Sequence, residues 1–483
     1  MLGKAGGNVR RFSAVLAFVM LLAGWSGIAA AAGDPRVIAR LNDEQRRVYA
    51  DWAGARAVHD REQDAYWSAV SARRSERRRK MSAGATVTAA DFVMQFPPKY
   101  NGPALRPDIA KIMAEVDPPS PAGDITTLPE MLAAARQHYR FEPGLIPERE
   151  FKRRYAVEAL ALGLTKEQVV RVYALETGGR GTFDMQAGIN PDTKAGRAIS
   201  TAMGYAQLLA ANSIDELVRY GDGFIVRLQG MAGQPGTPPE RVRALAAKVD
   251  ALRAMLRVGR SVPREWSRHV ELSRTSPGFG IHVLNLDRDI GPWLQVIKLK
   301  GIKDLAEQKG RTRLTPAELE LMNLAGPSTG LEMMDPAGGA APTANFFSRA
   351  GYYRNTIVRE KTGAELLAAI DTRMTENMVR PGSIEFAAVF DEVMGGGRAV
   401  KFNERSNLRP AVATPRPAPA VVPPPPVEAR RFEAQHVPAA APHPVPSAPV
   451  RAARPQPPEP QPRLHWAPPR FGERPALPSG FPD

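Results

Sequence analysis

The chain has 483 residues, no cysteine and a formal charge of +15 at pH 7. Its length allows about two or three domains, and a hydrophobic fraction of 43% can fill at least one sizeable core. Without cysteine, we expect no disulfide framework, no thiolate metal site and no lipoprotein anchor. A chain this basic should have anionic partners, but no nucleic-acid-binding motif is present.

The first 32 residues have the composition of an export signal peptide. Three basic residues precede an apolar stretch, residues 12–24, and four alanines at 29–32 offer a small-residue cleavage site. An uncleaved membrane anchor is the alternative. We therefore predict a periplasmic protein cleaved near residue 32, whose anionic partners are cell-wall polymers and membrane surfaces rather than nucleic acid.

Residues 33–123 are predicted to form an N-terminal helical region and a linker. Apolar residues recur at steps of three or four through residues 36–80, which indicates one long helix with a narrow apolar stripe. The stripe packs against a partner, a second copy or the next domain. Six basic residues between 73 and 80 are typical of a solvated helix end. Proline-rich residues 96–123 then indicate a linker, with one short helix at Pro107–Val116.

Residues 124–404 are predicted to form a mainly α domain, because no alternating apolar run is long enough for a large sheet. Residues 239–257 have the pattern of an amphipathic helix. Ser213 to Glu216 has the spacing of a capping box, and Thr315-Pro316 has the residues of a helix start.

One helix in this domain places a carboxylate on its apolar face. The capping-box spacing of Thr165 and Gln168 predicts its first residue, and Gly178-Gly179 predicts its end. Three apolar residues share a stripe with Glu176: Val169, Val172 and Tyr173. Burial and the negative end of the helix dipole should both raise the pKa of Glu176, as a general acid requires. The alternative is a structural carboxylate that accepts hydrogen bonds from the glycine turn.

Residues 140–395 resemble the lysozyme-like catalytic domain of the soluble lytic transglycosylases, most closely between 155 and 210. Glu176-Thr177 stands where the family has Glu-Ser, and Gly204-Tyr-Ala-Gln207 stands where it has Gly-Leu-Met-Gln. The family's later Ala-Tyr-Asn-Ala-Gly-Pro element has a partial counterpart at residues 321–327. There Met322 replaces the tyrosine, and one extra residue follows Asn323.

The resemblance implies cleavage of the β-1,4 bond between N-acetylmuramic acid and N-acetylglucosamine in peptidoglycan. Glu176 would protonate the glycosidic oxygen and then deprotonate the C6 hydroxyl, which closes on C1 to give a 1,6-anhydro product. One carboxylate is sufficient, because the nucleophile is already on the sugar and has a high effective molarity. No cofactor or metal is expected.

Further residues are substrate-binding candidates by the same resemblance. Gln207 would hydrogen-bond the N-acetyl or peptide amides, Tyr205 would stack on a sugar ring, and Gln186 and Asn323 would line the cleft. Two tyrosines could replace the missing one and contact substrate, Tyr352 and Tyr353. Either could equally be a packing residue. A second carboxylate, Asp184, would allow a lysozyme-type hydrolase if it faced the groove, although its sequence context is that of a turn residue.

About half of the 46 prolines lie beyond residue 405, which predicts a disordered Pro-rich tail at 405–483. Two classes of function remain open. The chain is an active lytic transglycosylase, or it is an inactive glycan-binding or envelope-organising protein of the same fold. In the second case the long helix and the tail would bind envelope proteins. The retained Glu176 favours the enzyme.

Overall fold

The computed structural model describes residues 33–118 and 125–395, and the regular secondary structure within them is all helical, with no β-strand. The mainly α prediction is confirmed, whereas the export signal and the tail from residue 405 lie outside the described residues. The helices are α1 (Pro35–Ile38), α2 (Asp43–Ser82), α3 (Pro107–Val116), α4 (Leu128–Tyr139), α5 (Glu148–Ala161), α6 (Lys166–Thr177), α7 (Ala210–Ala232), α8 (Pro239–Gly259), α9 (Trp266–Leu272), α10 (Ser276–Ile281), α11 (Gly291–Gln308), α12 (Pro316–Ala325), α13 (Pro327–Met334), α14 (Pro336–Ala340), α15 (Arg349–Arg354), α16 (Gly363–Met378) and α17 (Pro381–Gly395).

The predicted N-terminal helix is two helices, α1 and α2. Asn42 interrupts it, because its side chain caps α2 in a reciprocal capping box with Gln45. The first part of α2 packs with α1 and α3 around a small core of four buried residues: Val37, Leu41, Tyr49 and Ile109. The short helix α3 has the predicted bounds.

The second part of α2 packs against the chain's own helical body. Arg77 is 1% exposed, forms an ion pair with Glu332 and lies 4.2 Å from the centre of the Phe92 ring. Both Arg74 and Arg77 also donate to the backbone carbonyl of Asn345. The prediction of a solvated basic helix end is therefore wrong for these two arginines. Their burial attaches α2 to the next domain.

The main core surrounds α6, which packs against α12, α16 and α17. Tyr173 of α6 contacts the ring of Tyr205 at 5.1 Å and that of Phe386 in α17 at 5.3 Å. Tyr155 of α5 lies within 5.8 Å of both rings. This aromatic cluster fixes the position of α6 relative to the segment that contains Gly204 to Gln207.

The predicted capping box at Ser213 is wrong. Helix α7 begins earlier, at Ala210, and Ser213 lies inside it. The Ser213 hydroxyl is fully buried and hydrogen-bonds Nδ1 of His282 at 2.8 Å, so a tertiary contact explains its presence. Within the described ranges, no helix combines the length and the hydropathy that a membrane span requires.

Candidate active site

Helix α6 has the predicted ends and carries Glu176 in its last turn. Thr165 and Gln168 form the capping box, and Gly178 ends the helix at a φ of 63°. The side chain of Glu176 is partly exposed, while its stripe neighbours are buried. Its Oε1 accepts a hydrogen bond of 3.0 Å from Nδ2 of Asn323. The alternative prediction is that Glu176 accepts hydrogen bonds from the glycine turn. The Gly178 amide instead donates to the carbonyl of Leu175.

A second carboxyl group, Glu320, lies against Glu176. Helix α12, which carries it, begins at the predicted Thr315-Pro316 start. Glu320 and Asn323 are three residues apart and share one face of this helix. Glu320 is fully buried and hydrogen-bonds the Glu176 carboxyl, while Asn323 donates to Oε2 of Glu320 at 3.2 Å. Glu176, Glu320 and Asn323 therefore form one hydrogen-bonded cluster.

The environment favours retention of a proton in this cluster. Burial raises the pKa of Glu176, partly offset by hydrogen bonds from Glu320 and Asn323 and by the charge of Lys298. Burial, with the neighbouring Glu176 charge, raises the pKa of Glu320 well above its ordinary value. Burial lowers the pKa of Lys298 in α11. Two adjacent carboxyls in a desolvated site titrate as a pair, and their direct hydrogen bond lets one proton lie on either.

Glu216 of α7 is a third buried carboxyl that acts on Lys298, and it gives a testable pH dependence. Burial raises its pKa from 4.5 to about 7, so the folded state binds more protons than the unfolded state between these values. Stability should therefore fall as pH rises from about 4.5 to about 7. We expect Glu216→Gln to raise the free energy of unfolding at pH 8 by up to about 3 kcal/mol, with little effect at pH 5.

Urea unfolding of wild type and variant at pH 5 and pH 8 measures this difference. Glu271→Gln is the control, because Glu271 is exposed and, among the described residues, forms an ion pair only with Arg268 one turn away. It should change stability by the same small amount at both pH values. A Glu216→Gln effect that does not depend on pH would contradict the assigned titration.

The segment Gly204 to Gln207 forms a tight turn held by α11. Gln295 accepts a hydrogen bond of 3.0 Å from the Tyr205 amide, and its side chain occupies the space that a Cβ at Gly204 would need. Gln207 has a φ of 41°, which is rare for a residue other than glycine. Its Nε2 donates to the Gly204 carbonyl at 2.8 Å. The Gln207 side chain is partly exposed, and its contact with substrate remains a prediction.

Two of the predicted substrate contacts are wrong because the side chains are buried. Tyr205 is 1% exposed, its ring lies in the aromatic cluster, and its hydroxyl donates to Glu148. Gln186 is 3% exposed and accepts from the Leu128 amide, and it donates to the carbonyls of Thr126 and Ser200. Both residues hold the segments around the site together.

The remaining candidates contact other parts of the chain. The hydroxyl of Tyr353 donates to Gln63 of α2, and the rings of both Tyr352 and Tyr353 pack on Trp67 of the same helix. These tyrosines attach α2 to the domain and make no hydrogen bond to Glu176 in the described structure. Asp184 accepts from the Thr182 hydroxyl and from Lys194 at 3.2 Å, as a turn residue would.

Sequence reasoning missed Glu320 and Lys298. Each is a charged residue between apolar neighbours, Glu320 after Leu319 and Lys298 between Ile297 and Leu299. That pattern, and the three-residue spacing from Glu320 to Asn323, were the available signals.

Comparisons with protein-family models, with curated proteins and with solved structures gave no match.

Proposed function

We propose that this chain is an exported lytic transglycosylase that acts on peptidoglycan strands with a catalytic domain of lysozyme-like fold. The contact between Asn323 and Glu176 carries the proposal. These residues come from two segments, 147 positions apart, that separately resemble active-site elements of one enzyme family. Their hydrogen bond places a partly exposed acid with a raised pKa among polar side chains, where a general acid is needed.

In this reaction the Glu176 carboxyl gives its proton to the glycosidic oxygen as the C1–O bond breaks. The carboxylate that forms accepts a hydrogen bond from Asn323 and is attracted by the charge of Lys298, and both stabilise it. It then takes the proton of the C6 hydroxyl as that oxygen bonds to C1. Glu176 ends the cycle protonated, and the products are a 1,6-anhydro end and a free hydroxyl on the departing sugar.

The direct contact between the carboxyls favours this route over hydrolysis by an acid–base pair. Inverting glycosidases hold their two carboxyls about 6.5–9.5 Å apart to admit water, and retaining enzymes hold them about 5–5.5 Å apart on opposite sides of the bond. Carboxyls that hydrogen-bond each other leave space for neither arrangement. A nucleophile that belongs to the substrate needs no such space, so it fits a site in which Glu320 contacts Glu176 directly.

The second candidate function is an inactive glycan-binding or envelope-organising protein of the same fold. One observation favours it: Met322 is fully buried where the resembled family has a tyrosine, and both nearby candidates, Tyr352 and Tyr353, face α2. In this case envelope proteins would bind the exposed side of α2 or the Pro-rich residues beyond 405.

Digestion of purified sacculi with the full-length protein, followed by mass spectrometry of the released material, tests these proposals. We expect muropeptides that end in 1,6-anhydro-N-acetylmuramic acid. Reducing ends would instead show that water is the nucleophile and would indicate a lysozyme-type hydrolase. Sacculi that are bound but not cleaved would favour the inactive protein.

A further inference from the structure

A cavity of about 530 Å³ lies between the end of α4, helix α8 and the segment before α11. It shares no residue with the Glu176 cluster. Five of its lining residues are cations: Arg136, Arg140, Arg241, Lys248 and Arg288. One exposed acid, Glu142, also lines it.

Two buried acids beneath the cavity fix part of its wall. The side chains of Asp287 and Asp289 are fully buried, and Lys248 Nζ lies 2.6 Å from an oxygen of each. Arg241 donates to both oxygens of Asp289. Although burial opposes ionisation, Arg241 and Lys248 lower the pKa of Asp289 to about 2. These ion pairs hold the Arg241 and Lys248 side chains at the cavity in one arrangement.

The other three cations at the cavity are not neutralised in this way. Arg140 is exposed and forms no ion pair within the described residues. The Nε of Arg288 is 3.8 Å from Asp289 and is buried without a hydrogen-bond partner. Arg136 is 3.8 Å from Glu142, and both are mostly exposed. The buried Nε of Arg288 is closed to a ligand, but the terminal nitrogens of these three arginines form no hydrogen bond within the described residues and can donate to one.

The local charge balance is positive. Five cations lie against three carboxylates, those of Glu142, Asp287 and Asp289, which leaves an excess of two positive charges. A further arginine on Asp289, Arg154, is offset by its own partner Glu150. The carbonyl end of α4 contributes about half a negative charge, which reduces the excess without reversing it.

The backbone at Arg140 gives an independent indication. This residue follows α4 with a φ of 50°, a left-handed conformation in which glycine is the common residue. Arginine is disfavoured here by contact of its Cβ with the backbone. Arg140 therefore holds a costly conformation at the edge of the cavity, where its guanidinium forms no ion pair within the described residues.

We propose that this cavity binds a phosphate-bearing ligand through Arg140 and Arg288, with Arg136 at its edge. The charge of a phosphate monoester, about −1.5 to −2, matches the excess of two, whereas one carboxylate would leave it half compensated. Guanidinium groups bind phosphate oxygens in pairs, and three of them at one site provide enough donors. The ligand is a soluble phosphate ester or a phospholipid headgroup, and its binding is independent of catalysis at Glu176.

Isothermal titration of the full-length protein with pyrophosphate and with inorganic phosphate tests the proposal. We expect Arg140→Gly and Arg288→Gln each to weaken binding at least about tenfold, because each removes a charge-assisted pair. Arg140→Gly should leave the melting temperature unchanged or higher, since glycine adopts the left-handed conformation easily. Arg253→Gln is the control for lost charge, because Arg253 is exposed on α8 and forms its one ion pair within the described ranges with Asp250.

Sedimentation with vesicles of phosphatidylglycerol or phosphatidylcholine separates the two sources of phosphate. Vesicle binding that is lost in Arg140→Gly identifies a headgroup, and titration without vesicle binding identifies a soluble ester. Glu176→Gln should bind the same probes normally even if sacculi are not cleaved by any form of the protein. The proposal is overturned if neither phosphate probe nor either vesicle binds, if Arg253→Gln weakens binding equally, or if succinate binds more tightly than pyrophosphate.

Discussion

Glu176→Gln should lower the rate of muropeptide release from sacculi by at least about 10²–10⁴-fold, the usual contribution of general acid–base catalysis. Glutamine keeps the size of the side chain, and its oxygen can still accept the hydrogen bond from Asn323. What it loses is the transferable proton. Since Glu176 is proposed to act as the acid in one step and the base in the next, no second group in the cluster replaces it. Quantifying the released muropeptides by mass spectrometry over time measures the effect.

The fold should survive this change, because a neutral amide is less costly than a carboxylate in a desolvated site. The melting temperature of the variant should therefore equal or exceed that of wild type. Asp184→Asn is the matched control: it removes a carboxylate that belongs to a surface turn and pairs with Lys194. Its activity should remain within about twofold of wild type, as is usual for surface substitutions. Undiminished activity in Glu176→Gln would exclude Glu176 from the mechanism.

The parts of the site that the sequence predicted are those determined by local interactions. The start of α6 follows from side chains that bond amides three residues away, and its end follows from a glycine in the left-handed conformation. The helix period then places Glu176 beside Val169 and Tyr173 on one face. Each of these effects acts over a few residues, so it can be recognised without knowledge of the rest of the fold.

The errors come from contacts between distant segments. Periodicity shows that a face is covered but not by what, so it could not show that Glu320 covers Glu176 or that Phe386 covers the ring of Tyr205. The Tyr205 side chain could stack on a sugar ring or could be buried with its hydroxyl bonded to Glu148. Only the tertiary packing determines which of the two occurs. Arg77 was misjudged for the same reason, because its partner Glu332 is 255 positions away.

Glu320→Gln should lower the rate at neutral pH by about tenfold to a hundredfold and move the alkaline limb of the pH profile to lower pH. The amide can still donate to Glu176, but the second titrating carboxyl is gone. In wild type the last proton of the pair is retained partly because two adjacent carboxylates repel each other. Removing one of them removes that repulsion, so Glu176 loses its proton at lower pH. Above the limb the protonated fraction of Glu176 falls about tenfold per pH unit, so a downward shift of about one to two units corresponds to the stated loss of rate.

Lys298→Met provides the opposite test in the same cluster. The charge of Lys298 lowers the pKa of both carboxyls, so its removal should move the alkaline limb to higher pH. Glu307→Gln, at an exposed position further along α11, should leave the limb unchanged. General loss of stability would reduce the rate of both cluster variants without moving their pH profiles in opposite directions. Opposite shifts therefore require that Glu176, Glu320 and Lys298 titrate as one unit, and shifts in the same direction would show that Glu320 only supports the fold.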